Sequence, residues 1–241
     1  VAWVSVLRDG GRYRLWYTAS PVDDERSFIC YAESGDGYDW SRPDLGRVDF
    51  GGSTRNNILC LSGEHHLGFV FRDPSAPPGE SYKAVAPKGR YFRDGVHDPD
   101  LTQAQAKQLL RDMDLGGVSR AERRRALTIH QALHASVSPD GLTWTNLPEP
   151  ILDVGETALD THNLCCYDVW RQRYVAHLRG HQHRRRLVRR AEGEDFRQLG
   201  EPTPCLLCDP QDPLDADIYN PCYSPYPGLP GRHLMFPSFY H

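Results

Sequence analysis

The sequence predicts an all-β protein, a β-propeller of four-stranded blades carrying a helical insertion, and three observations lead there. Two stretches nearly copy each other: "YAESGDGYDW" (residues 31–40) and "HASVSPDGLTW" (134–144) each run from a short alternating strand into Ser-x-Asp-Gly and a Trp three residues later. Upstream of each copy lies a pair of strands joined by a turn. Between the second and third strands of one unit, residues 98–131 switch to helical spacing. Radially repeated four-stranded sheets bury their faces against their neighbours and leave only short edges, which is how a propeller uses such a chain of hairpins.

The first unit opens with "AWVSVLRDGGRYRLWYTA" (2–19): an apolar strand, a Gly-Gly turn and a second strand led by Tyr13. Its third strand ends at Asp36-Gly37, where Gly supplies the positive φ of a tight hairpin. The second unit repeats the strand pair in "LGFVFRDPSAPPGESYKAVA" (67–86), led back by Tyr82, and closes on Asp140-Gly141. Inside it, residues 98–131 are expected to form a two-helix insertion, with Thr102 as N-cap and Gly116-Gly117 as the stop. The helix restarts after Ser119, with Glu122 at the capping-box position, and Arg120 and Arg123 to Arg125 read as a solvated helix face. The third unit holds "NLCCYDVWRQRYVAHLRG" (163–180), led by Tyr174, and a worn turn, "RRAEGEDF" (189–196). A fourth strand pair, "NPCYSPYPGLPGRHLMFPSFYH" (220–241), is led by His233. The aromatic after each turn (Trp40, Trp144, Phe196) is expected to wedge between blades. Three and a half units do not close a ring, so residues 1–241 are expected to be a partial propeller domain, a fragment of a five-bladed whole.

Composition narrows the function classes. Hydrophobic residues make up 39% and charged residues 25%, a globular balance in a chain of 241 residues, ample for a buried core. With 28 basic and 32 acidic side chains interleaved, the net charge of −4 argues against a nucleic-acid partner. No apolar run approaches the length that crosses a bilayer, so no membrane partner is expected. Seven cysteines cannot all pair within the chain. Cys30, Cys60, Cys165, Cys166 and Cys222 sit in apolar stretches as small hydrophobes. The CxxC of Cys205 and Cys208 lacks the second ligand pair a zinc site needs. A reducing, cytoplasmic compartment fits this usage slightly better than an oxidising one, and neither a metal nor a cofactor is expected.

The chemistry-bearing residues cluster where first strands begin. In a propeller those strands line the central channel, and their starts converge at one end of it. Here the starts read Glu64-His65-His66, Asp160-Thr161-His162-Asn163 and Asp217-Ile218-Tyr219-Asn220. The last two match: Asp, two residues, Asn, an apolar residue and Cys. Paired carboxylates facing one pocket suit glycoside hydrolysis, in which one protonates the leaving oxygen and the other attacks or activates water. Asp160 and Asp217 are therefore the candidate catalytic acids, and His66, His162, Asn163, Tyr219 and Asn220 candidate contacts for sugar hydroxyls. Asp and Asn at strand starts also satisfy backbone donors in turns with no chemistry at all.

The blade pattern, with "YRLWYTA", "SPDGLTW" and "DTHN", resembles the five-bladed propeller glycosidases of the invertase-like and arabinanase-like families. It is more closely similar to the bacterial branch described as glycosyl hydrolase family 32 N-terminal-like. The resemblance covers the chain apart from the helical insertion. It implies a carbohydrate substrate and three acids on innermost strands, with Asp160 and Asp217 in position for two and Glu64, Glu156 or a residue of the missing blade for the third. A non-catalytic carbohydrate-binding propeller and a glycoside phosphorylase are the alternatives it leaves open. The chain has neither the Asn-Asp-Pro-Asn-Gly nor the Glu-Cys motif of the invertase-like enzymes. Its "FRDP" (71–74) aligns with a turn at the far end from the strand starts. The His and Arg residues of "HLRGHQHRRRLVRR" (177–190) read as a solvated, charged outer strand edge rather than a metal or phosphate site.

Overall fold

The computed structural model describes residues 2–22, 26–182, 185–213, 215–226, 228–229 and 231–240. The protein is mostly β, in several antiparallel sheets. The first sheet runs β1 (Ala2–Asp9), β2 (Arg12–Ala19) and β3 (Phe28–Ser34), with β4 (Trp40–Ser41) and β5 (Ile58–Leu61) both paired to β3. The second runs β6 (Phe69–Arg72) and β7 (Tyr82–Arg93), which also pairs the short β8 (Val96–His97). After helices α1 (Gln103–Leu115) and α2 (Arg120–Ala126) come β9 (Leu127–Ser138) and its partners β10 (Thr145–Asn146) and β11 (Leu152–Asp153). The third is a plain meander of β12 (Leu164–Asp168), β13 (Arg173–Gln182), β14 (Arg185–Gly193) and β15 (Thr203–Leu206). In the last hairpin, β16 (Asp217–Ile218) pairs β19 (Phe239–Tyr240), and β17 (Tyr223–Pro225) pairs β18 (His233–Met235).

The two Asp-Gly turns are built alike. Ser34 Oγ accepts from Gly37 N at 2.8 Å, and Ser138 Oγ from Gly141 N at 2.8 Å. Asp36 Oδ1 caps the amides of Tyr38 and Asp39; Asp140 Oδ1 caps those of Leu142 and Thr143. Each Trp indole then returns to the Gly carbonyl at 3.1 Å. The second turn also joins two sheets, because Trp16 Nε1 donates to Gly141 O at 2.8 Å.

Two apolar cores hold the sheets face to face in chain order. Trp16, Ile29 and Tyr31 of the first sheet pack on Val70, Tyr82 and Trp144 of the second. Phe71, Val85 and Leu133 of the second pack on Cys165, Leu178 and Phe196 of the third. Trp144 and Phe196 are thus the wedges their position predicted, whereas Trp40 belongs to neither core and is half-buried. First strands adjoin: β6 lies against both β1 and β12, and Val70 N donates to Ser5 Oγ at 2.9 Å. Within the second core, Asp73 of "FRDP" lies in the turn after β6. It takes hydrogen bonds from Tyr174 Oη at 2.6 Å and Ser75 Oγ at 2.6 Å, and an ion pair from the buried Lys83 at 3.3 Å. Burial opposes its charge, but those partners together hold it below the usual carboxylate range.

Strands β7 and β9 pair throughout, from Tyr82 opposite Ser138 to Arg93 opposite Leu127. Strand β6 covers only the first part of β7, so the rest of this hairpin extends past the sheet. Helix α1 packs on that extension through Ala106, Leu109 and Met113 against Leu127 and Ile129, and α2 lies against β7 and β9. Both helices start in capping boxes, Thr102 with Gln105 and Ser119 with Glu122. The helical spacing expected over 98–131 overshoots: residues 127–131 are strand, with Leu127, Thr128 and Ile129 completing the ladder to β7. Pairing outweighs propensity there, and two of those three residues are β-branched.

All seven cysteines are free; Cys30, Cys60, Cys165 and Cys166 are buried, as expected of small hydrophobes. Cys222 is exposed instead, at positive φ (43°) where the last hairpin begins. Among the described residues no helix is long and apolar enough to cross a membrane, which says nothing of a β-barrel.

Candidate functional site

A cleft of about 950 Å³ opens where the starts of β6 and β12 meet the extended β7–β9 hairpin. His66, Asp160, His162 and Asn163 all line it, so two of the three polar strand starts do converge. The approach to α1, including Asp98, Leu101 and Thr102, forms an opposing wall. Asp217, Tyr219 and Asn220 stand outside this lining.

Asp160 is the exposed member of the group. Its side chain is 69% accessible, yet it forms an ion pair with Arg179, whose side chain is only 7% accessible. Burial lowers the Arg179 pKa, and the neighbouring Arg186 lowers it further. Arg179 also contacts His181 Nε2 at 3.0 Å, and His181 lies directly opposite Arg186, which binds Asp217 Oδ2 at 2.8 Å. The two aspartates therefore belong to one cluster, Asp160–Arg179–His181–Arg186–Asp217, with a guanidinium on each carboxylate. Each of the two carboxylates is thus paired with a guanidinium, and of the two only Asp160 lines the cleft.

The remaining candidates have assorted duties. His162 meets the edge of Phe69 at 5.4 Å, and its backbone N–H reaches Asn220 Oδ1 at 3.4 Å, joining the third and fourth strand starts. Burial lowers the His162 pKa. Asn163 is buried, and its amide holds the main chain: Nδ2 donates to Leu159 O and Thr161 O at 2.8 Å, while Oδ1 accepts from Arg179 N at 3.1 Å. Tyr219 stacks on Tyr240 at 5.7 Å, with the Arg186 guanidinium over both rings. His66 packs on His134 at 5.0 Å, and burial takes both imidazoles down to about 4. For His66 the neighbouring His134 adds to the effect, and for His134 Lys88 does.

Neither expected third acid lines the cleft. Glu64 caps Leu61 N at 3.2 Å, and Glu156 pairs with Arg124 at 2.5 Å. The Arg-rich run needs correction. Strand β14 is an inner strand of its sheet, and its first residues lie at the same end as the start of β12. Arg185, Arg186 and Arg189 thus stand beside the polar strand starts rather than on an outer edge; His183 and Arg184 lie outside the described residues. Among the described residues no three metal-ligating side chains converge. The alternation of ends in a meander could have located this run, whereas its pairing to Asp160 and Asp217 depends on register. No family model and no curated protein matches the chain.

Proposed function

We propose that the chain is part of a β-propeller that binds a glycan in this cleft and hydrolyses a glycosidic bond there. The face-to-face sheets, with β6 against both β1 and β12, support the radial arrangement. The observation that carries the chemistry is the exposed Asp160 carboxylate, fixed at the cleft by a buried arginine. An oriented carboxylate can activate water or stabilise the positive charge that develops at the anomeric carbon. Its geometry is set before substrate arrives, since Asn163 fixes the backbone of Arg179 and Arg179 fixes Asp160. Asp217, held by Arg186 outside the lining, serves to seat the last hairpin against β14.

Reducing-end release from a panel of oligosaccharides and aryl glycosides tests this reading. Replacing Asp160 by Asn should lower kcat/KM by at least about a hundredfold while the melting temperature holds. No turnover by the unaltered protein, or unchanged turnover in D160N, would discard it. The guanidinium cluster around Arg179 and Arg186 favours one second reading, phosphorolysis, which predicts release of a sugar phosphate only when inorganic phosphate is added.

A further inference from the structure

We infer that the glycan this cleft receives is acidic, its carboxylate or sulfate groups held by Lys88 and Arg90 on one face of the β7–β9 hairpin; the inference rests on the glycan-binding part of the reading above. Strands β7 and β9 pair without a break in register, from Tyr82 opposite Ser138 to Arg93 opposite Leu127. Side chains alternate between faces along a strand, and directly paired residues share a face. Lys88, Arg90 and Phe92 therefore lie on the same face as His130 and His134, and β8 adds His97 opposite Phe92. The other face of this extension is covered, since Tyr91, Leu127 and Ile129 belong to the apolar cluster of the helices. Lys88, Arg90, His97 and His134 all line the cleft.

The face is cationic at one end and aromatic at the other. Lys88 and Arg90 stand two residues apart, about 7 Å along the strand. The carboxylate set against them is Asp153, which meets Arg90 at 2.8 Å, while Lys88 is exposed. The neighbouring imidazoles register this excess of positive charge. After burial, Lys88 and then Arg90 lower the His134 pKa against one opposing carboxylate, Asp153. For His66, burial and His134 are followed by Lys88 in the same direction. Further along the face, the Phe92 ring lies 4.5 Å from His130 and 5.3 Å from His97, with the Arg90 guanidinium 5.8 Å from its centre.

Two spaced cations beside flat rings fit a polymer that repeats an anionic group on rings with an apolar face, which describes a uronate-containing or sulfated glycan. A nucleic acid also repeats anions and flat rings, but its affinity draws on a wider basic surface than a chain of net charge −4 with interleaved signs provides.

Calorimetric titration at low and at moderate salt tests the assignment. The probes are an oligogalacturonate hexamer, the same hexamer with its carboxyls methyl-esterified, a chondroitin sulfate hexasaccharide and a DNA hexanucleotide. At least one acidic sugar should bind about tenfold or more tightly than the neutral ester, and the advantage should shrink as salt rises. Lys88→Glu, a change at an exposed position, should erase the advantage while the melting temperature holds, and Lys88→Arg should keep it. Equal affinity for acidic and neutral sugars, binding confined to neutral ones, or an advantage that survives in K88E overturns the inference and leaves glycan binding standing. Tighter binding of the DNA than of either acidic sugar overturns it in favour of a nucleic-acid partner. A protein that binds none of these sugars, nor any of the wider panel, overturns this inference and glycan binding together.

Discussion

Gly37 and Gly141 occupy the same place in two copies of one turn, but their surroundings differ. Both sit at positive φ, 85° and 75°, where any side chain costs about 1–2 kcal/mol. A methyl on Gly37 would meet nothing closer than the Tyr13 ring at 3.5 Å, an ordinary contact. A methyl on Gly141 would come within 2.8 Å of the Trp16 ring, which is wedged between sheets and bonded to Gly141 O. Gly37→Ala is therefore expected to show the conformational cost alone, and Gly141→Ala that cost plus about 1–3 kcal/mol for displacing Trp16. Urea unfolding of the two variants measures the difference, and equal losses would show that Trp16 yields freely. The turns were legible because Ser-x-Asp-Gly carries its own hydrogen bonds within a few residues. Trp16 as the rivet was not, since its acceptor lies 125 residues further along the chain.

At the scale of elements, the same boundary separates what the sequence reveals from what it hides. The capping boxes at Thr102 and Ser119 are local signals and fall where expected. The end of the insertion is not a local matter: Leu127 to Gln131 obey the strand they pair with. Position follows from topology too, since the insertion leaves between second and third strands and must emerge at the end where first strands begin. It thereby forms a wall of the cleft, with Tyr91, His97 and Leu101 facing the polar starts of β6 and β12. Its own apolar cluster is separate from the two cores between sheets. Replacing residues 94–126 by a two-residue turn should thus leave the main thermal transition within a few degrees of its original value. Under the proposed hydrolysis, KM for a glycan long enough to touch the wall should rise about tenfold, equivalent to about 1.4 kcal/mol of binding. A large fall in melting temperature would show instead that the helices support the sheets. The Arg-rich hairpin repeats the lesson. Topology puts it at the cleft end, but only the register of β13 on β14 assigns Arg186 to Asp217 and leaves Arg179 for Asp160.

For the molecule as a whole, burial of neutral imidazoles links stability to pH. His66, His134 and His177 are each lowered to about 4, first by burial; neighbouring charges add to it, Lys88 beside His134 and His233 beside His177 among them. In the unfolded chain a histidine titrates near 6.5. Above that pH both states are neutral and the folded state loses nothing. Between about 6.5 and 4 the unfolded chain binds protons that the folded one refuses, so stability falls as pH falls, by up to about 1.4 kcal/mol per pH unit for each histidine. Asp73, held below the usual carboxylate range, extends the loss in the same direction at still lower pH. Urea unfolding followed from pH 7.5 to 4.5 should therefore show stability falling with pH, these three histidines contributing up to about three protons to the slope. His177 lies 4% exposed against the Tyr223 ring, so His177→Phe keeps an aromatic in that contact and removes one titrating group. The slope should then drop by about one proton whatever the variant's absolute stability. A slope unchanged in H177F would mean that His177 takes up its proton in the folded state. The contact with Tyr223 that joins the last hairpin to the third sheet would then have to tolerate a buried charge, and the packing described for that hairpin would be wrong.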